Sequence, residues 1–272
     1  DQKLASLRSC ARILGAEIFG ADTHTREDFA ACAREAAEKC DVLVVAGGDG
    51  TFSDVINAVD TRRNPVAYLP FGSGNSLRYA LGCKGNLAAI ANRILKGSIR
   101  SYDLIICDNR RRAFMVSVGL EGTVLKLRKR YLARGTTGLS AYLKSALRAY
   151  FKHYQRLKMK ACWDGASAVF DKVLTLMIFK QPYYGYGMRI IPRARFDDGK
   201  LHVLCATSGL ILSLIGVGLS FLSGNPTGRY FAASRLSLHL DMPTLLQVDG
   251  NEAWTSDTFS FSVAPGALRI KC

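Results

Sequence analysis

A chain of 272 residues with 49% hydrophobic side chains can bury one or two sizeable cores, and its charged (22%) and aromatic (10%) fractions exclude a disordered chain. The formal net charge of +15 calls for an acidic partner: nucleic acid, an anionic membrane surface or phosphate-bearing ligands. Eight cysteines, at positions 10, 32, 40, 83, 107, 162, 205 and 272, contain no Cys-x-x-Cys pair, which excludes the usual zinc spacing and reads as reduced, cytosolic thiols.

No basic flank followed by an apolar stretch resembles a secretion signal. Two Ala-rich helices are predicted first, Leu4–Gly15 and Glu27–Lys39, the second with Thr25 as N-cap and Glu27 and Asp28 in its first turn. Val42–Ala46 is a short continuous apolar run, the mark of a buried parallel strand. A helix follows over Phe52–Val59, a second strand over Pro65–Leu69, a turn over Pro70–Asn75, and helices over Ser76–Leu81 and Leu87–Lys96. Strand, turn, helix, repeated, implies an α/β layer with a parallel sheet.

The pattern changes near Ser101. "YDLIICD" and "AFMVSVGLEG" read as strands, and a long basic segment with helical spacing runs from Lys126 to Lys160. Short β-like runs then dominate: "KVLTLMIFK", "KLHVLCA", "RLSLHL", "TLLQVDG" and "FSFSVAP", with "FDDG" and "VDGN" as turns. A second, mostly β domain is expected from about residue 101.

Gly47-Gly48-Asp49-Gly50-Thr51 joins the first strand to its helix. Glycines let backbone amides approach a ligand closely, and a helix start offers unpaired N–H groups and the positive end of a dipole. Together they suit a phosphate. An aspartate in such a pocket makes sense if magnesium bridges it to the phosphates; otherwise the stretch is a tight turn with Asp49 or Thr51 as a cap. A second turn, Gly72-Ser73-Gly74-Asn75, follows the next strand, so both would lie at the carboxyl edge of the sheet, where open α/β sheets bind ligands. Neither the P-loop pattern nor Gly-x-Gly-x-x-Gly is present after these strands.

"GGDGT", followed about 20 residues later by "PFGSGN", resembles the diacylglycerol kinase catalytic family, which includes bacterial lipid kinases, sphingosine kinases and ceramide kinases. "FMVSVGLEG" (Phe114–Gly122) looks like the family's segment ending Gly-x-Asp/Glu-Ala. "GYGMRIIPRARFDDGKLHV" (Gly185–Val203) looks like its Gly-Gly-x-x-x-x-Pro-x-Ala-x-x-x-Asp-Gly-x-Leu segment, and "QVDGN" (Gln247–Asn251) sits where the family has Asp-Gly-Glu. The first motif is shared with NAD kinases. The resemblance implies an N-terminal α/β nucleotide-binding domain, NAD kinase/diacylglycerol kinase-like, over residues 1–100. A β-sandwich lipid-substrate domain follows over 101–272, its C-terminal tail returning to the first domain, with the active site in the cleft between the two.

It further implies ATP- and Mg²⁺-dependent phosphorylation of a lipid hydroxyl. Gly47, Gly48, Gly50 and Thr51 would hold the nucleotide phosphates, and Gly72, Ser73, Gly74 and Asn75 would form the opposite wall. Asp49 would act on magnesium through water, and Glu121 would join the metal network, unless it is a surface turn carboxylate. Asp249 would accept the hydroxyl proton as general base, although Asp-Gly is also an ordinary hairpin turn. Asp198 matches a position linked to a structural magnesium that braces the β domain, or else it belongs to an ordinary Asp-Gly turn.

Three departures bear on substrate and activity. Ser76 stands where bacterial diacylglycerol kinases carry Asp, and "GSGNSL" is closer to sphingosine kinases. Asp-Gly-Glu is Asp-Gly-Asn here, with Glu252 adjacent. The family's opening Asn-Pro-x-Ser/Ala-Gly motif is absent, so the first strand is expected to be missing.

Lys126–Lys160 has eleven Lys/Arg and no Asp or Glu, with Tyr131, Tyr142, Tyr150, Phe151 and Tyr154 interleaved. That mixture suits an anionic membrane surface, or else is a solvated basic face; no recognition motif accompanies it for nucleic acid. The longest apolar region, "LILSLIGVGLSFL" (Leu210–Leu222), is 13 residues long, too short to span a bilayer as a helix. It reads as a helix that is apolar nearly all round, covered by the domain, flanking a lipid entry channel or dipping into the interface. The expectation is a cytoplasmic, peripherally membrane-associated lipid kinase acting on diacylglycerol. A sphingosine-type long-chain base kinase, an NAD kinase-like enzyme and a catalytically inactive membrane-binding module are the alternatives.

Overall fold

A computed structural model describes residues 2–136, 138–152 and 156–272. The chain divides into two compact units, Asp1–Asp103 with Pro265–Cys272, and Leu104–Ala264.

The first unit opens with helices α1 (Gln2–Leu14) and α2 (Arg26–Glu38). Thr25 caps α2 as the sequence suggests, its hydroxyl accepting the Asp28 amide at 3.0 Å. Strand β1 (Leu43–Gly47), helix α3 (Asp49–Ala58), strand β2 (Val66–Pro70) and helices α4 (Ser76–Ala80) and α5 (Leu87–Lys96) follow. β1 and β2 pair in parallel with Gly47 opposite Pro70, and Ile270 from the end of the chain pairs in parallel with Val66. The buried face of α3 (Phe52, Val55, Ile56) packs on the sheet, with the Phe52 ring edge-on to Tyr68 at 5.5 Å. α3 begins at Asp49, three residues earlier than the sequence suggested, so most of the glycine turn is the first turn of the helix itself.

Strand β3 (Ile99–Cys107) and the last strand of the chain each cross the boundary between the units. The second unit contains β4 (Arg111–Ala113), β5 (Met115–Gly119), helices α6 (Leu120–Ala133) and α7 (Gly138–Lys152), β6 (Leu157–Trp163), β7 (Ala166–Val173), β8 (Thr175–Phe179), β9 (Leu201–Ala206), helix α8 (Leu210–Ser220), β10 (Arg229–Ala233), β11 (Arg235–Val248) and β12 (Asn251–Lys271). It is an antiparallel β-sandwich. The first half of β11 pairs with β6 and its last residues pair with β5. The register shifts between His239 and Thr244, around Pro243, which has no N–H to give a ladder. One strand thereby serves both layers. Val116, Val118, Leu176, Ile178 and Val203 join Leu236, Leu238, Phe259 and Phe261 in the buried core.

Three expectations need correction. "AFMVSVGLEG" is strand only to Gly119; Leu120, Glu121 and Gly122 open α6. The basic segment is two helices and then a strand, with Leu157, Met159 and Ala161 of β6 turned inward between exposed lysines. Tyr154 lies outside the described residues. "RLSLHL" and "TLLQV" are one long strand, not two. Among the described residues no helix is long and apolar enough to cross a membrane.

Candidate active site

The two glycine turns of the first unit are locked together. The Gly47 carbonyl accepts both the Phe71 amide (2.9 Å) and the Gly72 amide (3.2 Å). A side chain on Gly72 would lie 2.5 Å from the Gly48 Cα and 2.6 Å from Asn75 Oδ1. Glycine is required there by the contact of one turn with the other, a cause additional to ligand access. Asp49 completes the link: Oδ2 accepts the Ser76 amide at 2.8 Å and Oδ1 the Leu77 amide at 3.2 Å. It thus caps α4 from α3. Burial raises the Asp49 carboxyl, and these amide bonds oppose the rise. Asn75 is buried in the left-handed region (φ 43°), accepting the Tyr68 hydroxyl at 2.9 Å and donating to the Gly72 carbonyl at 2.6 Å. It shapes the second turn from inside. Gly48 precedes α3 without any side-chain cap, so the amides of the Asp49–Thr51 turn lack a side-chain acceptor from the cap position.

In the second unit Glu121 is no surface carboxylate. It sits in the first turn of α6, 5% exposed, and accepts the Thr175 hydroxyl. Burial pushes its carboxyl up to about 7, against that hydrogen bond. Tyr142 and Tyr184, with ring centroids 6.0 Å apart, feel its charge, and burial raises both phenols as well. The unfolded chain ionises Glu121 near 4.5, the folded chain near 7. Between these values the folded state holds the extra proton, so stability falls as pH rises through the window. Glu121→Gln keeps the acceptor for Thr175 and has no charge to bury. It is expected to leave stability unchanged at pH 4.5 and to raise it by up to about 3 kcal/mol near about pH 8. Urea unfolding at the two pH values reads this out.

Asp249 lies in the two-residue hairpin between β11 and β12, with φ 47° followed by Gly250 at 83°, the conformation that Asp-Gly turns adopt. It is 1% exposed, and Oδ1 accepts the Phe114 amide (3.1 Å) and the Met115 amide (2.9 Å). The turn reading therefore describes its backbone, while its carboxylate holds the approach to β5.

Asp198 meets a cation of the chain's own. Lys180, fully buried, places Nζ 2.9 Å from Asp198 Oδ1 and 2.7 Å from the Lys200 carbonyl. His202 Nε2 lies 2.8 Å from Asp198 Oδ2, and its Nδ1 lies 2.9 Å from the Tyr230 hydroxyl. Burial pushes the Asp198 carboxyl up, but Lys180 and His202 more than offset it, and it lies below the ordinary carboxylate value. Burial also lowers His202. These partners do not fit a divalent cation: the Lys180 ammonium already stands 2.9 Å from Oδ1, where a cation would have to bind. Lys180 and His202 tie Asp198 into the second unit as an ion-paired cluster.

Sequence reasoning missed Thr175, Tyr184 and Lys180, and it grouped Tyr142 with surface aromatics although the ring packs against Tyr184. Lys180 carries a weak signal: a lone lysine closing an otherwise apolar strand, "TLMIFK".

A parallel α/β unit with two interlocked glycine turns, joined in sequence to a β-sandwich with buried carboxylates, defines a kinase of the NAD kinase/diacylglycerol kinase type. The diacylglycerol kinase catalytic domain matches residues 1–107, and the YegS C-terminal NAD kinase beta sandwich-like domain matches residues 114–272, more than half of the chain. The chain belongs to this family of lipid kinases. It is 26% identical over 263 residues to the diacylglycerol kinase of Mycobacterium tuberculosis (strain H37Rv), covering 93% of this chain and 83% of that protein. Its fold matches the crystal structure of a diacylglycerol kinase from Bacillus anthracis str. Sterne (TM-score 0.68, 18% identity, 92% of this chain and 82% of that one). It also matches an NAD kinase from Archaeoglobus fulgidus solved with ATP (TM-score 0.55, 9% identity, 100% and 90%).

Proposed function

We propose that this chain is an ATP-dependent lipid kinase that transfers the γ-phosphate to a lipid hydroxyl, first of all diacylglycerol, at an anionic membrane surface. The observation that carries the reading is the pair of interlocked glycine turns beside the uncapped start of α3. The amides of Asp49, Gly50 and Thr51, with the positive end of that helix, suit the nucleotide phosphates. Gly72, Ser73, Gly74 and Asn75 form the second wall. The first unit is the nucleotide domain in this reading, and the second holds the lipid.

The residues present fit magnesium at Asp49. Each of its oxygens accepts one amide and retains a second lone pair, and hard oxygen donors with bound water are what this ion prefers. When bound, the ion neutralises phosphate charge. Glu121, pushed up to about 7 by burial, accepts the Thr175 hydroxyl within the second unit and carries its charge only part of the time at neutrality. Asp249 takes the proton of the attacking hydroxyl, its carboxylate plane fixed by the Phe114 and Met115 amides.

Support for the membrane surface comes from α7. Ala141, Ser145 and Ala149 face inward, while Leu143, Leu147 and Phe151 form an exposed apolar row beside an exposed basic row, Lys144, Arg148 and Lys152. One face offers hydrocarbon contact and the next offers charge for anionic head groups. ATP use and the reduced thiols suit the cytoplasmic side.

A sphingoid base is the second acceptor, favoured by Ser76. It starts α4 with its amide on Asp49, where a second carboxylate would crowd that acid. Labelled ATP offered with diacylglycerol, sphingosine and NAD as competing acceptors decides. Label is expected in diacylglycerol. Label in NAD would make this a soluble-substrate enzyme, and label in none would favour an inactive binding module.

A further inference from the structure

Helix α8 is built in the reverse of a core helix. Its small residues, Gly216 and Ser220, are buried, and its large apolar ones turn outward. The Ser220 carbonyl accepts the Arg189 amide at 2.6 Å, and a side chain on Gly216 would lie 2.5 Å from Thr227 Oγ1. That contact explains a glycine in mid-helix. Ile211, Leu212, Leu214, Ile215, Phe221 and Leu222 are all exposed, Ile211 at 74% and Leu222 at 82%. No charged residue interrupts Leu210–Ser220. An apolar surface of this kind in water marks an interaction site.

We propose that α8 and the Phe221–Leu222 turn insert into the interfacial region of an anionic bilayer, lying in its plane. The helix has 11 residues, too few to cross the bilayer but suited to rest at the boundary of head groups and chains. The charge around it selects the occupant. Arg189, whose backbone bonds to Ser220 and Asn225, is exposed, as is Arg193, which lines one cavity with Ser223 and Asn225 just past the helix. Leu104–Ala264 carries 22 Lys/Arg against 10 Asp/Glu. A second copy seated on this face would bring like charges together; anionic lipid satisfies both the hydrocarbon and the arginines. The inference rests on the membrane-surface part of the proposed function and names the element that enters the membrane.

The full chain is incubated with vesicles of phosphatidylcholine, with and without phosphatidylglycerol, and bound protein is sedimented. Ile211→Glu with Leu222→Glu, at the two most exposed positions, is expected to lower partitioning onto anionic vesicles roughly 100-fold, with an unchanged circular dichroism spectrum and melting temperature. Leu222→Trp provides a readout that does not depend on weakened binding: its emission is expected to shift to the blue on vesicles and to be quenched by bromine-labelled lipid chains. Partitioning unaltered by the double substitution, or a tryptophan that stays in water, would overturn the proposal. So would a wild-type dimer that the double substitution splits while vesicle binding persists. A water-dispersed short-chain diacylglycerol separates the two readings. If neither protein phosphorylates it, the kinase reading fails; the vesicle results bear on α8 alone.

Discussion

Asp249→Asn is expected to reduce lipid phosphorylation by about 10²–10⁴-fold while changing the folding free energy by less than about 1 kcal/mol. The geometry makes this substitution discriminating. Oδ1 of Asp249 accepts the Phe114 and Met115 amides, and an asparagine oxygen can accept the same two bonds. What the amide group cannot do is take a proton from the substrate hydroxyl. Asp249→Ala removes both bonds to a fully buried pair of strand ends and is expected to lower stability as well. A kcat that survives Asp249→Asn, with stability lost only in Asp249→Ala, would reduce Asp249 to a brace of the hairpin.

Lys180→Met is expected to lower the unfolding free energy by about 3 kcal/mol, the low end of the range for breaking a buried ion pair, because the Asp198 side chain keeps 23% of its surface exposed. The substitution matches the length of the aliphatic stem but leaves Asp198 Oδ1 with only the Lys200 amide, at 3.1 Å. The lowered carboxyl of Asp198 means that its contribution is present above the ordinary carboxylate value and is lost as pH falls through the folded-state value. Wild-type stability is therefore expected to fall in acid, and Lys180→Met to show a flatter acid limb. Lys180→Met with Asp198→Asn is expected to recover part of the loss, since no charge is left without its partner. Any rise in the thermal midpoint that magnesium gives over a chelator should be the same in the wild type and in Asp198→Asn. A midpoint raised by magnesium in the wild type and not in Asp198→Asn would restore a metal brace.

The legible parts of the fold were those with local causes. A short apolar run, three glycines and an aspartate define β1 and the start of α3. Thr25 with Asp28 three residues on defines a cap, and Asp249-Gly250 a hairpin. The glycine pair was legible as two turns at one edge of the sheet, but the close contact of Gly48 with Gly72 was not, because it depends on parallel pairing of segments more than 20 residues apart. Glu121 was misplaced because Met115, Val116 and Val118 of β5 lead into Leu120 of α6 with only Ser117 and Gly119 between them, and periodicity over so few residues separates neither element. β6 was hidden by its own composition: lysines on its solvent face continue the basic pattern of α7, and only the inward Leu157, Met159 and Ala161 betray period two. Lys180 was unreadable as a partner of Asp198, since nothing in a linear sequence marks which buried cation meets which acid.

Phosphorus NMR of the wild-type chain with ATP, magnesium and vesicles of diacylglycerol and phosphatidylglycerol tests the kinase assignment most directly. ADP and a lipid phosphomonoester are expected to appear together in equal amounts. ADP accompanied by free phosphate, or ATP left intact, would contradict it.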